Sequence, residues 1–142
     1  MALIRTSKLF RRLRRTTFFH DVLRPVYDRR LVRAWWAANR PSPPPHAIKL
    51  AAIQYLADRI SARYLFETGS YLGDTVRALQ GRFDLLISIE LAESLAKPLQ
   101  QEFSGDPSIR IVIGDSGVML NKLLPKAKGP AVFWLDAHYS GG

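Results

Sequence analysis

The stretch Tyr64-Leu65-Phe66-Glu67-Thr68-Gly69-Ser70-Tyr71-Leu72-Gly73-Asp74-Thr75 reads as a buried strand that breaks into a tight glycine loop and then a helix. An apolar run ends in an acid, two glycines stand four positions apart, and Asp74 or Thr75 is placed to cap the helix that follows. Such a turn leaves backbone N–H groups pointing into a crevice, a geometry that suits a nucleotide-like ligand. The spacing is ExGxxxG and not GxGxxG. In the dinucleotide fold the middle glycine lets the backbone touch a pyrophosphate. Here Ser70 and the bulky Tyr71 occupy that region, so a ligand without a pyrophosphate, held by an acid at the strand end, fits better.

The segments downstream repeat the pattern. Residues 85–90 form an almost wholly apolar run that again stops at an acid, Glu90. Continuous apolarity implies burial on both faces, hence a parallel sheet with helices above and below. Glu90 falls 21 positions after Gly69, the separation at which this class of fold sets a carboxylate beside a ribose. The same acid equally serves as an N-cap for the helix expected over 92–103. A third strand over 109–113 ends at Gly114-Asp115-Ser116-Gly117, and a helix follows over 118–124. A fourth strand over 131–136 carries its own terminal acid, Asp136, and runs into Ala137-His138-Tyr139-Ser140-Gly141-Gly142. In an open parallel sheet the carboxyl ends of such strands gather at one edge, where the chain order reverses and ligands bind.

Three of the four strands thus end in a carboxylate, and at this point the sequence resembles the class I S-adenosylmethionine-dependent methyltransferases. The resemblance covers roughly residues 47–142, the cofactor half of that fold. It implies an α/β fold with a Rossmann-like parallel sheet, strand order 3-2-1-4, and flanking helices. It implies S-adenosyl-L-methionine as cofactor, held by Glu67, Thr68, Gly69, Ser70, Tyr71 and Gly73 around the methionine part, Glu90 at the ribose, and Asp115 and Ser116 bordering the adenine. Asp115 and Ser116 also read simply as a cap for the next helix. In that family the loop after the fourth strand faces the acceptor, which makes Asp136 and His138 the catalytic candidates for methylation of a small, hydroxylated acceptor. Asp136 is also where related O-methyltransferases ligate a divalent metal, but two neighbouring candidates do not make a site for a cation that needs about six oxygen ligands. The family's sheet continues with three more strands, so the chain is expected to be a fragment or truncated form with an incomplete C-terminal half and a fourth strand left as an apolar edge.

Composition bounds the rest. The chain has 142 residues and 47% hydrophobic content, enough for one modest core and an appendage. It has no cysteine, which excludes disulfides, thiolate metal sites and a cysteine nucleophile. No apolar run approaches the roughly 18 to 20 residues of a membrane span, and a cytoplasmic location is the default expectation. The formal charge of +9 sits entirely in residues 1–40, which hold eleven Lys+Arg against Asp21 and Asp28, while the remainder is balanced at ten and ten. Its basic clusters alternate with apolar residues, predicting a leader of two short amphipathic helices parted near Pro25. That leader is read as a contact for an anionic membrane surface or nucleic acid, or as a solvated helix packed on the domain. Pro41-Ser42-Pro43-Pro44-Pro45 marks a stiff linker over 41–46. A helix follows over 47–63, with Ile48, Ala52, Leu56 and Ile60 as the stripe that covers the sheet. Two further readings stay open beside the methyltransferase: a nicotinamide-dependent oxidoreductase of similar topology, disfavoured by the absent middle glycine, and a non-catalytic module targeted by its leader.

Overall fold

The computed structural model describes residues 24–41 and 43–136. The first of the two expected leader helices, with the rest of residues 1–23, lies outside the described residues. The chain forms two compact units, Met1–Ala52 and Ile53–Gly142.

In the first unit, helix α1 (Arg24–Ala37) starts where Pro25 suits an N-terminal turn. Its buried Arg24 donates to Asp28 Oδ2 at 3.3 Å, one turn on, and to His46 Nδ1. His46 is thereby a structural acceptor and the first residue of helix α2 (His46–Arg59). Trp35 Nε1 donates to the carbonyl of Pro41 at 2.7 Å, which ties the proline stretch back to α1.

The second unit is a four-stranded parallel sheet with order β3-β2-β1-β4, the Rossmann-like arrangement. Its strands are β1 (Tyr64–Thr68), β2 (Leu85–Glu90), β3 (Ile109–Ile113) and β4 (Ala131–Leu135). Between them run α3 (Asp74–Ala78), α4 (Glu93–Glu102) and α5 (Ser116–Leu123), the last continued by a 3-10 turn, Leu124–Lys126. β1 pairs with β2 and with β4, and β2 with β3, all parallel. Parallel pairing needs a crossover between strands, and the helices supply it while covering the faces.

The pleat sorts the side chains. Phe66, Ile87 and Ile89 point to one face, where they form a core with Leu123 of α5. Glu67, Leu86, Ser88 and Glu90 alternate onto the other, the register setting Glu67 beside Ser88. Among the described residues β4 is an edge strand, with Leu135 65% exposed. Phe133 stacks on Phe66 at 5.0 Å between ring centroids.

Two local expectations are corrected. The N-cap of α3 is Gly73 in the left-handed region (φ 79°), with no side-chain cap, so neither Asp74 nor Thr75 fills that role. On α2 the residues buried are Ile53 and Ala57, while Leu56 and Ile60 of the expected stripe are 46% and 49% exposed. Steps of four residues overshoot the 3.6-residue turn, so the line from Ile48 to Ile60 winds through about 120° and leaves the buried face.

Candidate functional site

The register brings the strand ends to one rim. Thr68 pairs with Ile89 and Leu135, and Glu90 with Ile113. Gly69, Asp136 and the Gly114-Asp115 turn therefore all emerge at the same edge of the sheet, Gly69 and Asp136 flanking the reversal between β1 and β4.

The glycine loop is held to β2 at three levels. Gly69, at φ 83°, donates its N–H to the carbonyl of Ile89 at 2.8 Å. Tyr71 donates its N–H to Glu90 Oε2 at 2.8 Å. Ser70 Oγ lies 2.6 Å from Ser88 Oγ, and Ser88 donates in turn to Glu67 Oε2 at 2.7 Å. Within the loop, the N–H of Gly73 donates to the carbonyl of Ser70 at 2.8 Å. The amides of Gly69, Tyr71 and Gly73 are thus consumed by the protein, which removes these three from the row of N–H groups expected to face a ligand.

The acids differ in setting. Glu67 is 1% exposed and belongs to the sheet interior beside Ser88. Glu90, 9% exposed, takes one amide on each oxygen: Tyr71 on Oε2, and Ala92 on Oε1 at 3.0 Å. It therefore braces the turn into α4, close to the capping alternative, although the N-cap residue itself is Ala92. A carboxylate has about four lone-pair sites, so two remain for a ligand. Asp115 is the N-cap of α5, its Oδ1 accepting from the N–H of Val118 at 3.0 Å, which realises the capping alternative; Ser116 is the first residue of that helix. Asp136 is exposed just past β4. His138 lies outside the described residues.

Gly73 answers to packing. A Cβ there would come 2.5 Å from Leu99 Cδ2 of α4, so the absence of a side chain lets the loop close on that helix. Tyr71, the intervening residue, holds φ 48°, a left-handed conformation that costs a non-glycine residue about 1 kcal/mol or more. Its amide bond to Glu90 accompanies that conformation, and its side chain is left exposed.

Ser88 is the site residue that the sequence did not disclose. It is a polar position in the apolar run of β2, and its phase was the available signal: it shares a face with Glu90 two residues on and pairs with Glu67. Among the described residues, no three His, Cys, Asp or Glu side chains are grouped to hold a metal ion. No helix of the described residues is long and apolar enough to cross a membrane.

No family model matches the chain, and no curated protein does. Among solved structures it is similar to the crystal structure of the 23S rRNA methyltransferase ErmE, with 26% identity and a TM-score of 0.45. That match covers 65% of this chain and 36% of the other.

Proposed function

We propose that the second unit binds S-adenosyl-L-methionine and serves methyl transfer. The observation that carries the reading is Glu90: a carboxylate at the end of β2, fixed by the amide of the glycine loop on one oxygen and by the turn into α4 on the other. Rigid placement at the chain reversal, with one acceptor site left on each oxygen, suits the two hydroxyls of a free ribose. The donor set fits the rest of the cofactor. Gly69 to Gly73 would line the methionine part, and Asp115, with Oδ1 spent on its cap, would offer Oδ2 to the exocyclic amine of adenine. When bound, the cofactor supplies an activated methyl group. The protein's own share is alignment and, where the acceptor requires it, removal of a proton. Asp136 is the proposed group for that task, being carried to the rim by β4, with His138 as the second candidate from the sequence. The acceptor proposed with it is a small hydroxylated molecule, because Leu135-Asp136-Ala137-His138 followed by Ser140-Gly141-Gly142 resembles a subgroup of small-molecule methyltransferases.

Calorimetric titration of S-adenosylhomocysteine into the wild type and Glu90→Gln tests the reading, with NADH as the competing ligand. The expected outcome is binding of S-adenosylhomocysteine and not NADH, with affinity at least about tenfold weaker in the variant. Equal affinity in both proteins removes the ribose contact. A methylation assay that offers a small phenol and an RNA fragment side by side reads the acceptor class, and Asp136→Asn is expected to lower kcat while leaving S-adenosylhomocysteine affinity unchanged.

A second reading rests on the first unit alone. Val26, Arg29, Arg30, Arg33 and Trp36 fall within about 120° of arc on α1, and Arg29, Arg30, Arg33 and Trp36 are exposed. Arg40 extends the group, its guanidinium 5.0 Å from the Trp36 ring centroid. The face offers guanidinium groups and an aromatic but only two large apolar side chains, too few for interfacial insertion. We propose that it contacts single-stranded nucleic acid through phosphate and stacking. Binding should weaken steeply with salt, and replacing the three arginines with glutamine should flatten that dependence. Binding to anionic vesicles in place of RNA would overturn it.

A further inference from the structure

Ser88 has no exposed surface and lies in the middle of a strand whose neighbours are all apolar until Glu90. A hydroxyl buried there is retained for what it bonds. Its two partners are both within hydrogen-bond reach, Glu67 Oε2 at 2.7 Å and Ser70 Oγ at 2.6 Å. Each hydroxyl has one proton to give. Ser88 gives its proton to Glu67, so it must take one from Ser70. The chain has a single direction: Ser70 O–H to Ser88 Oγ, Ser88 O–H to Glu67.

The consequence falls at the ligand end. Ser70 has spent its proton inward, and its hydroxyl can only accept from whatever lies on the glycine loop. Its backbone is fixed as well, since its carbonyl accepts from the N–H of Gly73. We infer that Ser88 is a positioning residue which, with Glu67, holds Ser70 as an obligate acceptor and so selects a ligand that brings a donor to the loop, an ammonium group. The inference rests on the proposed cofactor in one respect. The part of S-adenosyl-L-methionine assigned to the loop carries an ammonium, which only donates, and a carboxylate, which only accepts, and an acceptor-only Ser70 suits the first and repels the second.

The test is calorimetric titration of the full chain with S-adenosylhomocysteine and with its desamino analogue, which keeps the carboxylate and lacks the ammonium. Wild type, Ser88→Ala and Ser70→Ala are compared, with thermal unfolding followed in parallel. Wild type should prefer the amino form. Both variants should bind that form about tenfold more weakly and the desamino analogue as well as wild type does. A structural role alone would weaken both ligands together, and that result overturns the inference. So does equal affinity of wild type for the two ligands, which leaves the proposed function standing. Binding of neither ligand by wild type removes the proposed function and this inference with it. Should Ser88→Ala fail to fold, Ser70→Ala decides by the same comparison.

Discussion

At Tyr71 and Gly73 the backbone holds φ 48° and 79°, and substitution should move stability in opposite directions. Gly73→Ala adds a Cβ that keeps the left-handed strain and displaces the buried Leu99, and is expected to cost about 2 kcal/mol or more. Tyr71→Gly relieves the strain, offset in part by the freedom glycine regains when unfolded, and should leave the chain as stable or up to about 1 kcal/mol more stable. Urea denaturation of both variants reads the contrast. A third residue sets an acid limit. The hydroxyl of Ser108, the Gln80 amide and the backbone N–H of Ser108 hold Asp106 below the ordinary carboxylate value of 3.8. A carboxyl depressed in the folded state stabilises above its unfolded pKa, and that contribution is lost as the pH falls through the folded one. Asp106→Asn should therefore lower stability at neutral pH and flatten its decline below about pH 4, measured as the thermal midpoint against pH.

Short helix α3 depends on its neighbour rather than on its own five residues. Arg77 donates from Nη1 to the carbonyl of Leu72 at 2.6 Å, grips Glu102 of α4 with two nitrogens at 2.5 and 2.6 Å, and lies 3.7 Å from the buried Asp74. Arg77→Met should cost about 2 to 4 kcal/mol, because it strips a cation from beside a buried carboxylate. Glu102→Gln, on the more exposed end, should cost about 1 kcal/mol or less; chemical denaturation separates the two. At this scale the sequence was most legible for the strands, since apolar runs bounded by acids and glycines have few alternative readings. The sheet order agrees with the resemblance drawn from Glu67, Glu90 and Asp115. The face of α2 was not legible, because a tally of apolar residues at a spacing of four does not say which side the sheet will take. Nor were the bonds of Glu90 and Ser88, since amides distant in sequence become partners only once parallel register aligns β1 with β2. The packing demand at Gly73 was not legible either, since the atoms a side chain there would meet belong to Leu99, a residue of another element.

The molecule as a whole keeps its net charge in one segment and its sheet edge in another. The basic excess lies in residues 1–40, while exposed apolar groups in the second unit include Phe133 and Leu135 on the edge strand. An apolar edge is a template for pairing with a second chain. Leu135→Lys should change folding stability by less than about 0.5 kcal/mol and reduce self-association, as read by light scattering over a concentration series.

The central place of β1 sets an order on synthesis. Its partner β2 begins 21 residues after it, at Leu85 against Tyr64, whereas β4 begins 67 residues after it, at Ala131. Pairing over so long an interval closes late, because loop closure comes before any contact rewards it. A nascent chain emerging from the ribosome therefore holds one flank of β1, Phe66 included, unsealed until β4 has been made.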